Sequence, residues 1–212
     1  MKFLKAAKLK AIGLLTALLI VLSYSLETIK KAIFVLVPRT DFSDHMTSMA
    51  AMIVLTAIII IACKKLHVDL SIFPSKFTAL YVCISIAALC LLIVTPSNYT
   101  GSFRSISLLV YSSIVTPIFE ELIFRGFVWT KLNQIFSREW KTYMVSTILF
   151  ALWHFGYISS IAFRVQDNLL DAMLWKVITG LCFGVVLGAV RLKTKNCYST
   201  MLLHGILNIF GR

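Results

Sequence analysis

Seven apolar stretches separated by short polar gaps run the length of the chain, near Ala11–Leu26, Thr47–Cys63, Thr78–Thr95, Ser105–Trp129, Thr142–Tyr157, Ala172–Val190 and Tyr198–Phe210. About 20 apolar residues cross a roughly 30 Å bilayer core as a helix, and the shorter stretches reach that length by extending into their flanks. A soluble globule is excluded because 59% of the 212 residues are hydrophobic, leaving too little polar surface to coat it. The expected fold is all-α, a polytopic transmembrane helix bundle of about seven spans (six to eight) forming a single integral membrane domain over residues 1–212. The first stretch is the ambiguous one. Glu27, Lys30 and Lys31 interrupt it, and Ala32–Val37 is too short to cross again, which places that piece at the interface.

The stretch from Leu108 to Trp129 contains two adjacent carboxylates, in Pro117-Ile-Phe-Glu120-Glu121-Leu-Ile-Phe-Arg125. An acid held in hydrocarbon is costly unless paired or functional, so intramembrane acids mark candidate sites. The other seven of the nine acidic residues lie in or beside the gaps, which leaves Glu120 and Glu121 as the expected buried pair.

Lys and Arg set the topology. An N-in arrangement places thirteen on the cytoplasmic side, including Lys64, Lys131, Lys141 and Lys195, and seven on the other, among them Lys30, Arg39, Arg104, Arg164 and Lys176. The expected protein is a multi-pass cell-membrane protein with a cytoplasmic N-terminus and an outer C-terminus, its Lys-rich start acting as an uncleaved anchor. The net charge of +12 then reflects basic loops facing anionic headgroups. No basic run is interleaved with stacking aromatics, so nucleic acid is not an expected partner. The five cysteines show no Cys-x-x-Cys spacing and read as reduced packing residues. Asn98-Tyr-Thr100 matches a glycosylation acceptor too short to carry weight.

Two histidines also fall within apolar stretches: His154 in Phe150-Ala-Leu-Trp-His154, and His204 in His204-Gly-Ile-Leu-Asn208. At 1.5 Å per residue, Glu120 lies roughly 16 Å from Lys131, His154 roughly 20 Å from Lys141 and His204 roughly 14 Å from Lys195, so three helices bring titratable groups to one depth. Glu121 and Arg125 are four apart and face each other. Glu120, about 100° around the helix, points elsewhere, toward the bundle interior. The spacing makes Glu121 and Arg125 supporting residues and Glu120 the chemical one. Gly180, Gly184, Gly188 and Gly205 offer small surfaces for close helix approach.

In order and spacing, Glu120-Glu121-x-x-x-Arg125, Phe150-x-x-x-His154 and His204-x-x-x-Asn208 resemble the three motifs of the CAAX protease and bacteriocin-processing (CPBP, or Abi) family, over a core from Ser105 to Phe210. The resemblance implies an intramembrane endopeptidase of the type II CAAX prenyl kind, or a bacteriocin-processing or immunity protein. It implies Glu120 as general base, His154 holding and polarising the water, His204 and Asn208 facing the oxyanion, and Glu121 and Arg125 as braces. No cofactor is expected. Zinc is the rival, since a Glu and two His form a zinc ligand set, but no His-Glu-x-x-His pair occurs. The expected substrate is a peptide or protein entering from the membrane or the cytoplasmic side of a bacterial cell, for peptide maturation or bacteriocin processing.

Other readings are a purely structural polar network, a non-proteolytic scaffold or immunity protein bound to a membrane protein partner, and a proton-coupled transporter. Four costly groups at one depth exceed what helix packing needs. No internal repeat or pair of broken helices supports transport.

Overall fold

The computed structural model describes residues 2–94, 102–165 and 167–210. Among them the regular structure is helical throughout, in seven helices: α1 (Lys2–Phe34), α2 (Asp41–Lys65), α3 (Ala79–Val94), α4 (Phe103–Ile135), α5 (Glu139–Arg164), α6 (Leu169–Thr194) and α7 (Cys197–Phe210). Five are long and apolar enough to cross a membrane; α3 and α7 are shorter apolar helices. The chain is a multi-pass helical membrane bundle. The Asn98–Thr100 acceptor and Arg212 lie outside the described residues.

α1 does not break where its charges suggested. It runs unbroken through Lys30 to Phe34 and then turns, leaving Val35 and Leu36 exposed at its end. Lys30 can stay inside because it is paired: its ammonium lies 3.4 Å from Asp44 and donates to Ser160 of α5. Asp44 is fully buried, which corrects the expectation that only Glu120 and Glu121 are buried acids. The start of α2 explains this. Thr40 caps the helix in a reciprocal box with Ser43, which sets Asp41 and Asp44 in the first turn, where the helix dipole favours acids. There Asp44 accepts from Arg39 at 2.8 Å and from Arg164 at 2.6 Å, and Asp41 accepts from Arg164 at 3.0 Å and Arg104 at 3.1 Å. One charged knot thus ties together the ends of α1, α2, α4 and α5.

The central packing is between α5 and α6, with α7 against α6 and α4. A stripe of Gly180, Gly184 and Gly188 on α6 faces α5, where an added Cβ would fall 2.6 Å from His154, 2.9 Å from Thr147 and 2.5 Å from Tyr143. Lys195, in the left-handed conformation, ends α6, and Asn196 accepts from the Ser199 N–H at the start of α7, so two residues reverse the chain and fix His204 against α6. Gly205 meets the Ser113 carbonyl of α4, with a virtual Cβ only 2.5 Å from that oxygen. Gly205→Ala is therefore expected to destabilise by about 1–3 kcal/mol. Gly13→Ala, with nothing within 4 Å, should be neutral or slightly stabilising. Thermal unfolding in detergent compares the two.

Candidate active site

α4 carries the paired acids between two π-helical turns, Tyr111–Val115 and Leu122–Val128. Such turns often mark functional sites, and they leave carbonyls that need other donors. Here the Phe124 carbonyl accepts from Ser146 at 3.3 Å and the Arg125 carbonyl from Arg191 Nε at 2.9 Å. The bundle holds the distorted helix from two sides.

The two glutamates separate as their spacing predicts. Glu121 is fully buried and accepts from Arg125 Nη1 at 3.2 Å. Arg125 is buried too, reaches the Gly184 carbonyl at 3.5 Å, and lies 4.3 Å over the Phe150 ring. Glu120 turns instead into a cavity of about 270 Å³, whose walls include His154, His204, Asn208 and Tyr157. All four expected catalytic residues line this one cavity. The level inferred by counting along three helices is realised as a shared space.

Each histidine has one nitrogen committed. His204 Nδ1 lies 3.0 Å from Glu121 Oε1, and its Nε2 lies 3.9 Å from Glu120 Oε2. An ionised carboxylate only accepts, so Nδ1 carries the hydrogen in that bond, and Nε2 donates only when the ring holds two hydrogens. His154 Nδ1 lies 2.9 Å from the Phe150 carbonyl. It therefore donates there, which leaves Nε2 as an acceptor facing the cavity. Phe150 packs edge-on against both rings, at 5.2 Å from His154 and 6.2 Å from His204. Asn208 is half-buried and donates one N–H to the Ser112 carbonyl at 2.7 Å; its amide retains a second.

The sequence motifs did not point to Tyr157. Its hydroxyl donates to Glu120 Oε1 at 2.6 Å and accepts from Trp153 Nε1 at 2.8 Å. The helix tightens to a 3₁₀ turn over His154–Tyr157, where residues three apart eclipse, so Tyr157 joins His154 on the cavity side. Tyr157→Phe is expected to lower kcat for peptide cleavage by about ten- to a hundred-fold with KM little changed, because it loosens the carboxylate and leaves substrate contacts intact. A parallel rise in KM would show that Tyr157 serves binding instead.

Three motifs on three helices thus converge, with two acids in different environments and two histidines oriented by their Nδ1 partners. The model of the Rce1-like family, type II CAAX prenyl endopeptidase Rce1-like, matches residues 101–210. The chain belongs to the Rce1-like family. That family is one of proteases, and its matched segment holds every motif residue described above. No curated protein and no solved structure matches the chain. Among the described residues, no group of three His, Cys, Asp or Glu side chains is arranged to hold a metal ion.

Proposed function

We propose that the chain is an intramembrane endopeptidase in which Glu120 activates water for attack on a peptide carbonyl. The observation that carries this reading is the single cavity shared by Glu120, His154, His204 and Asn208. Water between Glu120 and the Nε2 lone pair of His154 gives its proton to the carboxylate as its oxygen bonds to the carbonyl carbon. The carbonyl π electrons move to oxygen. The second N–H of Asn208 donates to that oxyanion, as does Nε2 of His204 when that ring holds two hydrogens, and a preorganised donor of this kind is worth about 3 kcal/mol. Collapse breaks the C–N bond, and the proton on Glu120 passes to the departing amine. Glu121 holds His204 in its donating orientation, and Arg125 compensates the buried charge.

The family name points to prenylated C-terminal tails. In a bacterial host, which we favour, a bacteriocin, pheromone or leader peptide fits better, in peptide maturation or bacteriocin processing. Cleavage of a fluorogenic peptide panel by the purified protein, with and without a strong zinc chelator, tests the reading. Activity that survives the chelator supports the glutamate mechanism, and activity lost with it points to zinc. An inactive protein whose Glu120→Gln form still functions in cells would overturn catalysis in favour of the scaffold or immunity role.

A further inference from the structure

We infer that a phospholipid with an anionic headgroup seats in a slot between α3 and the rest of the bundle, its head in a basic pocket at the membrane interface and one acyl chain lying along α7. The inference is independent of the proposed activity, because the slot and the catalytic cavity have no lining residue in common.

The slot exists because α3 stands off from its neighbours. It is a strongly apolar helix that buries none of its residues, and its main packing is on α7. A cavity of about 570 Å³ remains beside it, walled by Ala88, Leu89 and Leu92 of α3, Ile118 of α4, and Met201 and Ile209 of α7. The hydroxyls in this wall are already engaged within the protein. Ser85 donates to the Tyr81 carbonyl at 2.6 Å and accepts from the Tyr198 hydroxyl at 2.6 Å, and Ser113 pairs with Ser112 at 3.3 Å. The slot therefore suits hydrocarbon. Its length suits one chain: the eleven steps from Tyr198 to Ile209 rise about 16 Å along α7, half of the roughly 30 Å hydrocarbon core. That is the depth of a single leaflet.

At its Tyr198 end the slot meets a second, polar pocket of about 620 Å³, and Ile60, Ile72 and Phe73 line both. Lys64 and Lys195 stand in the wall of this pocket. Lys195 pairs with Glu139, whereas none of the described acids engages Lys64. Asp69, in the same wall, accepts from the Ser71 N–H at 2.7 Å and from its hydroxyl at 3.2 Å, so the charge left without a partner is positive. A phosphate complements it. The junction between the two spaces is firmly held. The Cys197 and Tyr198 N–H groups donate to the Ser71 and Ile72 carbonyls at 2.9 and 2.8 Å, and the Phe73 and Phe77 rings lie 5.9 and 5.4 Å from that of Tyr198. Aromatic clusters of this kind sit at headgroup level. A basic pocket at that level, opening into an apolar slot one leaflet deep, matches the order of parts in an anionic phospholipid. The bound chain would brace α7 against α4 from the side away from His204 and Glu120.

Thermal unfolding of the purified, delipidated full chain in detergent tests this without reading activity. The protein is titrated with phosphatidylglycerol, with phosphatidylcholine of the same chains, or with glycerol 3-phosphate. The midpoint should rise saturably with phosphatidylglycerol, as for any ligand that binds only the folded state, rise less with phosphatidylcholine, and stay unchanged with glycerol 3-phosphate. Lys64→Gln should raise the phosphatidylglycerol concentration needed for half the effect about fivefold, the contribution of one lysine near an anionic surface. Lys10→Gln, an exposed lysine elsewhere, should leave it unchanged. Ala88→Trp fills the slot and should abolish the rise, whereas Ala87→Trp, exposed and outside the slot wall, should keep it. An equal response to the two phospholipids overturns the anionic head. A rise that survives Ala88→Trp, or the full effect from glycerol 3-phosphate, overturns the slot as the seat of a lipid. Native mass spectrometry decides the matter if Ala88→Trp does not fold: a single phosphatidylglycerol adduct on the wild type, depleted in Lys64→Gln and kept in Lys10→Gln, agrees, and no adduct on the wild type contradicts.

Discussion

Glu120→Gln is expected to lower kcat for peptide hydrolysis by about 100- to 10,000-fold, the range that a positioned general base supplies. The substitution suits the question because the amide keeps the shape of the carboxylate. Its oxygen still accepts from the Tyr157 hydroxyl, now 2.6 Å from Glu120 Oε1, and the neutral group costs less to bury than the charge it replaces. The fold should survive, as thermal unfolding beside the wild type would show. What is lost is the ability to take a proton from water. Undiminished cleavage by a well-folded Glu120→Gln protein would remove Glu120 from the chemistry. Glu121→Gln separates the two acids: it keeps an acceptor for His204 and lies outside the cavity, so its smaller loss in rate should be accompanied by a loss of stability.

Much of this was legible in the chain. Apolar stretches at membrane length fixed the helices, because in lipid the backbone must satisfy itself within each helix. The motifs reported a shared depth because rise per residue is nearly constant, and the i, i+4 spacing of Glu121 and Arg125 survived the π-helical turn between them. Other features arise only from tertiary contacts. Asp44 and Lys30 read as gap residues, yet the turn between α1 and α2 folds them onto Ser160 and Arg164 of α5. Tyr157 joined the site through a local tightening that no residue pattern announces. Gly180 did carry a signal, but one read as packing alone: it makes room for the His154 ring and so belongs to the site's support.

Arg125→Met is expected to destabilise the protein by about 3–5 kcal/mol, the cost of leaving one member of a buried ion pair alone. Glu121 would keep His204 as a partner but lose the guanidinium 3.2 Å away, with no solvent to replace it. Methionine fills comparable volume beside Phe150, so the loss reports charge more than packing. The double substitution Arg125→Met with Glu121→Leu removes both charges. Well-packed apolar replacements of a buried pair are often neutral or stabilising, so the double variant should unfold close to the wild-type temperature. Its activity should not return. Without Glu121, His204 loses the acceptor that holds its Nδ1 hydrogen and aims Nε2 at the cavity, and the expected rate loss is about 100-fold, comparable to removing one oxyanion donor. Unfolding in detergent and peptide cleavage across the four-member cycle separate the two roles. A double variant no more stable than Arg125→Met would mean that Arg125 acts through its contacts with Gly184 and Phe150. A double variant restored in both stability and rate would mean that the pair is purely structural, and that His204 finds its orientation elsewhere.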